Sequence, residues 1–194
     1  MNRSLAVFCS GQGTNLQAIL DAIRTGRLNA RVAVVVSDNP GAYALVRALR
    51  AKVPPVILDP RAYPSRERMD REFARIVDRF QSRLIVLAGF IRILSPWFVR
   101  RYPNRILNIH PALLPSFPGA HAVRDALRHG VKVTGVTVHF VNEKVDSGPI
   151  IAQEAVEIRP MDSEGTLLER LHRVEHRMYP RIIQQVLAGK VRVR

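Results

Sequence analysis

Leu5-Ala-Val-Phe-Cys9 is followed directly by Ser10-Gly-Gln-Gly-Thr-Asn15. The continuous apolar run predicts a buried strand, and the amphipathic pattern over residues 15–25 predicts a helix. The two glycines between them allow the chain to turn sharply from one element into the other. A strand, a glycine-rich turn and a helix make up half of a βαβ unit. The chain therefore begins with the unit from which doubly wound α/β sheets are built.

The same alternation continues along the chain. Further helical patterns lie at about 41–51, 66–80, 95–101, 120–129 and 163–188. Strand-like apolar runs lie between them at 31–37, 55–58, 83–88, 106–109, 133–141 and 149–158. The early strands are hydrophobic throughout, which is typical of parallel strands covered on both faces. We predict a doubly wound, mostly parallel α/β sheet with helices on both faces, in a single domain over residues 1–194.

The last two strands differ from the others. In the run from Val133 to Val141, apolar and polar residues alternate, and only a short glycine-containing loop separates this run from Pro149. This spacing predicts that the last two strands of the chain form an antiparallel hairpin that is added to the sheet.

Composition excludes several classes of protein. With 47% hydrophobic and 24% charged residues, the chain is not intrinsically disordered. No apolar run approaches the length of a membrane span or of a signal peptide core. Because Cys9 is the only cysteine, no internal disulfide forms, and we expect a cytoplasmic location.

The net charge of +14 raises the question of nucleic-acid binding. The basic residues are scattered, however, and they form neither a basic tail nor an interleaved aromatic platform. We therefore interpret them as a solvated basic surface, keep attraction of anionic small substrates as an alternative, and expect no dedicated nucleic-acid site. A basic nucleic-acid-binding module remains the alternative outside the enzymes, and steep salt dependence of duplex binding would distinguish it.

The turn from Ser10 to Asn15 is a candidate phosphate site, because free N–H groups at a helix start favour an anion. A dinucleotide-binding turn, and hence a nicotinamide-dependent dehydrogenase, is one alternative, with Asp38 placed to bind a ribose. It is disfavoured because Leu16 stands where a third glycine is required. The other alternative is an ordinary turn whose helix is capped by Thr14 or Asn15.

Asn108-Ile-His110 ends a predicted strand and is followed by prolines. Alternate residues of a strand share a face, so the amide and the imidazole point the same way. Without a neighbouring nucleophile, this pair suits direct acyl transfer, in which one group stabilises an oxyanion and the other moves a proton. The alternative is a structural histidine with satisfied hydrogen bonds.

Asp146 lies in the loop of the predicted hairpin. A carboxylate beside an imidazole raises the pKa of the imidazole and fixes its tautomer, but an aspartate in this position is as well suited to capping a turn. The spacing of His139, His172 and His176 provides no metal-binding pattern, and we expect no metal.

Four segments together resemble the folate-dependent formyltransferases: Asn108-Ile-His-Pro-Ala-Leu-Leu-Pro115 with Phe117-Pro-Gly119, Ser10-Gly-Gln-Gly-Thr-Asn-Leu-Gln-Ala-Ile19, Leu87-Ala-Gly-Phe-Ile-Arg-Ile-Leu-Ser95 and Glu175-His-Arg-Met-Tyr-Pro180. The resemblance is to the branch that formylates glycinamide ribonucleotide in purine synthesis. It implies the formyltransferase fold, and transfer of a formyl group from 10-formyltetrahydrofolate, a cosubstrate, to the amine of that nucleotide. Two related branches, methionyl-tRNA formyltransferase and formyltetrahydrofolate deformylase, carry an additional domain that we do not expect in this chain.

The resemblance also implies roles for individual residues. Asn108, His110 and Asp146 match the catalytic positions. The residues that match glycinamide ribonucleotide contacts are Gly13, Thr14, Asn15 and Glu175. Those that match folate contacts are Arg66, Ile91, Arg92, Ile93, Leu94, Asn108, Val141, Asn142, Glu143, Lys144 and Val145. No role is carried to Ala112, Phe117 or His172, where relatives commonly have other residues. The sequence leaves monomer and homodimer open.

Overall fold

The computed structural model describes residues 2–191. Its strands are β1 (Ser4–Phe8), β2 (Arg31–Ser37), β3 (Pro55–Ile57), β4 (Leu84–Leu87), β5 (Ile106–His110), β6 (Val133–Phe140) and β7 (Ile150–Glu157). Its α-helices are α1 (Thr14–Arg24), α2 (Tyr43–Arg50), α3 (Arg66–Arg79), α4 (Pro96–Arg101), α5 (Ala122–His129) and α6 (Glu164–Leu187). A short 3-10 helix covers Pro60–Ala62.

The seven strands form one sheet in the order β3-β2-β1-β4-β5-β6-β7. The first five strands of this order are parallel, whereas β6 pairs with β5 and β7 with β6 in the antiparallel sense. The chain runs outward in one direction from β1 to β3 and in the other from β4 to β5. The order therefore reverses between β1 and β4, where doubly wound sheets place their ligand sites. The predicted doubly wound sheet with its antiparallel hairpin is confirmed.

Helices cover both faces of the sheet, and each face has its own hydrophobic core. Leu5 and Val7 of β1 point into a core shared with α1, α2 and α6. Ala6 and Phe8 point into the opposite core, which is shared with α3 and α4. Because both faces are buried, β1 needs the uninterrupted apolar sequence that predicted it.

Strand β6 is buried on both sides although its sequence alternates. One of its buried polar residues, Thr137, is accommodated by hydrogen bonds: its hydroxyl donates to the Ala112 carbonyl at 2.6 Å and accepts from the Leu114 N–H at 3.1 Å. The edge of the sheet is formed by β7, in which exposed residues alternate with half-buried ones. The polar residues of β6 are therefore interior groups and belong to the surroundings of the site.

The long helix α6 is tied to the centre of the sheet by Tyr179. The fully buried hydroxyl of Tyr179 contacts the carbonyl oxygens of Leu87 and Leu107 at 2.9 and 3.0 Å. Leu87 is the last residue of β4, and Leu107 lies in the neighbouring strand β5, one residue before Asn108. Tyr179 thus fixes α6 against the edge from which the site is built. The single-domain extent 1–194 stays a prediction, and its terminal residues Met1 and 192–194 lie outside the described residues.

Candidate active site

The loops after β1 and β4 are joined at the point where the strand order reverses. The Ser10 N–H donates to the Gly89 carbonyl at 3.0 Å, and the Ile91 N–H donates to the Ser10 hydroxyl at 3.0 Å. Because neighbouring strands are 4.7–4.9 Å apart, the end of β5 lies about 10 Å from that of β1. The predicted phosphate turn and the Asn108–His110 pair therefore lie along one short edge.

Asn108, His110 and Asp146 meet at the end of β5. The Asn108 amide donates to Asp146 Oδ1 at 3.3 Å, and His110 Nδ1 lies 3.5 Å from Asp146 Oδ2. The His110 and Asp146 side chains are only 6% and 11% exposed. The structure thus brings together the three residues for which the resemblance implies catalysis.

The loop that follows β5 holds this group from the other side. His110 Nε2 lies 2.8 Å from the Phe117 carbonyl oxygen, and the Gly119 N–H donates to Asp146 Oδ2 at 2.8 Å. Since a carbonyl oxygen only accepts, Nε2 carries a proton in this arrangement. The other ring nitrogen faces the Asp146 carboxylate, so both ring nitrogens of His110 have an acceptor beside them.

Asp146 is arranged to be an anion. Burial acts to raise its pKa, but contact with His139, the Gly119 hydrogen bond and the charges of His110 and His139 outweigh that effect, and the pKa lies below its usual value. The backbone of Asp146 is also left-handed, with φ +48°. Asp146 Oδ2 both accepts from the Gly119 N–H and faces His110. A structural role in the loop and a role beside His110 therefore belong to the same carboxylate.

Sequence reasoning missed the place of His139 in this group. Its Nε2 lies 3.2 Å from the Asn108 amide nitrogen and 3.6 Å from Asp146 Oδ1, and its Nδ1 lies 2.9 Å from the Phe140 carbonyl. Since that carbonyl accepts, Nδ1 carries a proton, and Nε2 faces both the Asn108 amide and Asp146. His139 thereby packs against two members of the catalytic group. The predicted hairpin is added to the sheet, so its first strand, β6, could have been paired with β5. In the observed antiparallel register, His139 lies opposite Asn108.

The start of α1 has no side-chain cap, which makes the capped-turn alternative wrong. Gly13 occupies the capping position with φ +69°, and a Cβ there would lie 2.7 Å from Ala44 Cβ. Only glycine fits both the backbone and the space. The first N–H groups of the helix are thus not engaged by a capping side chain, as a phosphate site requires.

Asn15 and Glu175 form a buried, hydrogen-bonded polar pair at this helix start. The Asn15 amide donates to Glu175 Oε2 at 2.8 Å, although 160 residues separate the two in sequence. Burial raises the pKa of Glu175, and the Asn15 hydrogen bond and the charge of His172 offset this only in part. The Oδ1 atom of Asn15 is buried without a hydrogen-bond partner among the described residues. A polar ligand would find both an acceptor and a carboxyl group here.

The residues matched to folate lie in separate segments around the catalytic group. Ile91 and Ile93 are 74% and 54% exposed, and Val145, in the hairpin loop, is 48% exposed. Leu94 is buried in the core beneath α3 and α4. Arg66 opens α3 and is exposed. Exposed apolar side chains on the two loops offer surface for a flat organic ring.

The hairpin loop is ordered by its own contacts. Asn142 Oδ1 accepts from the Lys144 N–H at 3.0 Å and from the Ser147 hydroxyl at 3.1 Å. Glu143 forms an exposed ion pair with Arg100 of α4 at 2.8 Å. The Val141 N–H donates to the Ile106 carbonyl at 2.9 Å. This loop therefore presents a shaped backbone next to Asp146.

Within residues 2–191, no group of three or more His, Cys, Asp or Glu side chains is arranged to hold a metal ion. No helix in that part of the chain is long and apolar enough to cross a membrane.

The fold and the site define a doubly wound α/β protein with an acid–base group at the end of β5, one strand beyond the point where its strand order reverses. The sequence model of the formyl transferase family matches residues 3–183. The chain therefore belongs to the formyl transferase family.

Relatives and solved structures agree with this assignment. The chain is 42% identical over 190 residues to phosphoribosylglycinamide formyltransferase of Escherichia coli strain K12, covering 98% of this chain and 90% of that protein. The crystal structure of glycinamide ribonucleotide transformylase 1 from Symbiobacterium toebii is similar with a TM-score of 0.96 at 48% identity, covering 99% of this chain and 94% of that one.

A larger relative matches over part of its length. The chain is 46% identical over 189 residues to the trifunctional purine biosynthetic protein adenosine-3 of Gallus gallus, covering 97% of this chain. The chain spans only 14–19% of the length of the trifunctional relatives it matches.

Proposed function

We propose that this protein transfers the formyl group of 10-formyltetrahydrofolate to the primary amine of glycinamide ribonucleotide, a step of purine synthesis. The observation that carries the proposal is the Asn108–His110–Asp146 group, in which His110 is buried and the other two residues are half-buried, at the same sheet edge as an uncapped helix start. The catalytic group suits acyl transfer, and the helix start suits a phosphate. Near-full-length similarity to phosphoribosylglycinamide formyltransferase supports this pairing of substrates.

The chemistry requires one bond to form and one to break. The amine of the nucleotide attacks the formyl carbon, and the carbonyl electrons move onto oxygen to give a tetrahedral oxyanion. The oxyanion then collapses, the bond from carbon to the folate nitrogen breaks, and a proton passes from the attacking amine to that leaving nitrogen. The protein must stabilise the oxyanion and move the proton.

We assign these tasks to the residues at the end of β5. The Asn108 amide donates to the oxyanion, and His110 donates to it as well and carries the proton. Asp146 orients the His110 ring through its contact with Nδ1. Because Nε2 of His110 contacts the Phe117 carbonyl, this hydrogen bond must give way to substrate if that nitrogen takes part. Holding the two substrates in contact contributes about 7–11 kcal/mol toward the barrier.

The substrates bind on either side of this group in the proposal. The phosphate of the nucleotide lies on the N–H groups that follow Gly13, with Thr14, and its sugar contacts Asn15 and Glu175. The folate lies between residues 91–94, of which Ile91 and Ile93 are exposed, and the loop 141–145, with Arg66 at its far end. The contact between the Ser10 hydroxyl and the Ile91 N–H joins the two halves.

The remaining features of the proposal concern surroundings. Neither the reaction nor our assignment of residues uses a metal. A single, buried cysteine supports the cytoplasm as the compartment. We propose that the basic surface, with a net charge of +14, attracts anionic substrates and serves no dedicated nucleic-acid site.

The choice of acceptor tests the proposal. Protein mixed with 10-formyltetrahydrofolate should formylate glycinamide ribonucleotide, as detected by mass spectrometry. The corresponding nucleoside, which lacks the phosphate, should react with kcat/KM reduced about 100-fold or more, because the charged hydrogen bonds at the helix start are lost. Equal reaction of both acceptors would contradict the phosphate site, and reaction of neither would contradict the proposed transfer.

A further inference from the structure

A carboxylate outside the catalytic group lies beneath the segment proposed to bind folate. Asp70 is on α3 and is 2% exposed. Its neighbours Met69 and Phe73 belong to the hydrophobic core that α3 and α4 share with the sheet. Burying a carboxylate costs free energy unless hydrogen bonds and charges compensate it. Asp70 therefore needs a hydrogen-bond donor or a positive charge close to its carboxylate, and the position of that group indicates the role of Asp70.

That partner is the backbone at the end of the folate-side segment. Asp70 Oδ2 accepts from the Ser95 N–H at 2.5 Å. Ser95 directly follows residues 91–94 and starts α4, where its hydroxyl accepts from the Phe98 N–H. At the other end of the segment, the Ile91 N–H donates to the Ser10 hydroxyl. Two side-chain acceptors thus hold a short segment without regular secondary structure.

The hydrogen bond alone does not explain a charged residue at this position. A neutral amide oxygen would also accept from Ser95, and at a lower desolvation cost. Burial raises the pKa of Asp70, and the Ser95 hydrogen bond and the charges of Arg66 and Arg92 oppose that rise. Arg66 precedes Asp70 by one helical turn and Arg92 belongs to the held segment, so both arginines lie within reach of its charge.

We propose that Asp70 is a positioning residue for the folate half of the site: through the Ser95 N–H it fixes the backbone at the end of residues 91–94. The inference rests on the proposed function, because it assumes that this segment contacts folate. Asp70 touches neither the catalytic group nor the helix start at Gly13 in the contacts of residues 2–191. Its loss should therefore affect one substrate and spare the other.

The test separates the hydrogen bond from the charge. Asp70→Ala removes both and should raise the KM for 10-formyltetrahydrofolate about tenfold or more, the worth of a charged hydrogen bond. The KM for glycinamide ribonucleotide and kcat should stay within about twofold. Asp70→Asn keeps an acceptor for Ser95 and should raise the folate KM by a smaller factor. Hydrogen exchange at the Ser95 amide should speed up in Asp70→Ala but not in Asp70→Asn.

Asp78→Asn is the matched control. Asp78 lies on the same helix and also accepts hydrogen bonds, from Tyr102 and Arg101, but it is remote from the held segment. This variant should leave both KM values unchanged. If Asp70→Ala does not fold, the folate KM of Asp70→Asn decides. Unchanged folate KM in every folded Asp70 variant, or an equal rise for both substrates, would overturn the proposal.

Binding measurements keep this result separate from the proposed function. Tetrahydrofolate affinity, measured by calorimetry, should fall in the Asp70 variants and stay the same in Asp78→Asn. A wild-type protein that binds no tetrahydrofolate would contradict the proposed function itself. Wild-type binding with equal affinity in the Asp70 variants would contradict only the role of Asp70.

Discussion

Nδ1 of His110 lies 3.5 Å from Oδ2 of Asp146, and both side chains are almost entirely withdrawn from solvent. Nε2 of the same ring contacts the Phe117 carbonyl at 2.8 Å, so both ring nitrogens face acceptors. Inside a protein, such a pair interacts more strongly than it would in water. The chain therefore holds the His110 imidazole between two acceptors at the end of β5, next to the Asn108 amide.

Asp146→Asn should reduce kcat by about 10²–10⁴-fold, the usual contribution of an acid–base system. The change is nearly isosteric, and asparagine tolerates the left-handed backbone at this position, so the fold should survive. The charge facing His110 is lost, and an N–H₂ group replaces an acceptor toward either Gly119 or Asn108. Steady-state kinetics of the purified variant measures the effect. Asp125→Asn, on the surface of α5, is the control and should be silent; a folded Asp146→Asn enzyme with normal kcat would reduce Asp146 to a turn residue.

His110→Ala combined with Asp146→Asn should be scarcely slower than the worse single variant. Residues that act as a unit lose their joint contribution once, so the second change removes little more. Comparing kcat of wild type, both single variants and the double variant gives the coupling directly. Multiplied losses in the double variant would mean that the two side chains act independently despite their contact.

Glu175→Gln should raise the KM for glycinamide ribonucleotide about tenfold or more while leaving the folate KM unchanged, because a charged acceptor near the sugar becomes neutral. The same change should stabilise the protein at neutral pH. The pKa of Glu175 is raised above its usual value, so its ionised form costs folding free energy there.

The pH dependence of that stability has a fixed sign. As pH falls through the raised pKa toward 4.5, wild-type Glu175 becomes protonated and the advantage of the glutamine variant should disappear. Urea unfolding at several pH values measures this, with Glu169→Gln, an exposed position on α6, as the control. A glutamine variant less stable than wild type at neutral pH would contradict the cost assigned to the carboxylate.

Gly13→Ala should lower the free energy of unfolding by about 1–3 kcal/mol and raise the KM for glycinamide ribonucleotide. The added methyl group meets Ala44, whose Cα would lie 2.9 Å away, and the backbone φ of +69° is strained for alanine. Gly26→Ala is a close match, with φ +74° and nothing within 4 Å of the added atom. It should show the backbone strain alone, with normal kinetics. Equal effects of the two variants would mean that the close approach to Ala44 has no consequence for the helix start.

Much of the fold was predictable because its signals are local. The apolar run at β1 predicts a strand buried on both faces, and the glycines after it predict a tight turn into α1. The convergence of Ser10, Asn108 and His110 followed from the rule that carboxyl ends of parallel strands share an edge.

The features that were missed depend on contacts between distant segments. His139 resembles an ordinary strand residue until β6 is paired with β5 in the observed register. The contact between His110 and the Phe117 carbonyl depends on the path of a proline-containing loop. The hydrogen bond from Ser95 to Asp70 depends on the packing of α3 against α4. No periodicity in the sequence encodes such contacts, since each is set by tertiary packing.

The most direct measurement mixes the protein with 10-formyltetrahydrofolate and glycinamide ribonucleotide and follows the absorbance change as tetrahydrofolate forms, with the nucleotide product quantified by mass spectrometry. The account predicts one formylated nucleotide for each tetrahydrofolate released, with the rate abolished or greatly reduced in His110→Ala. A folded wild-type protein that releases no tetrahydrofolate, or releases it without formylating the nucleotide, would contradict the proposed transfer.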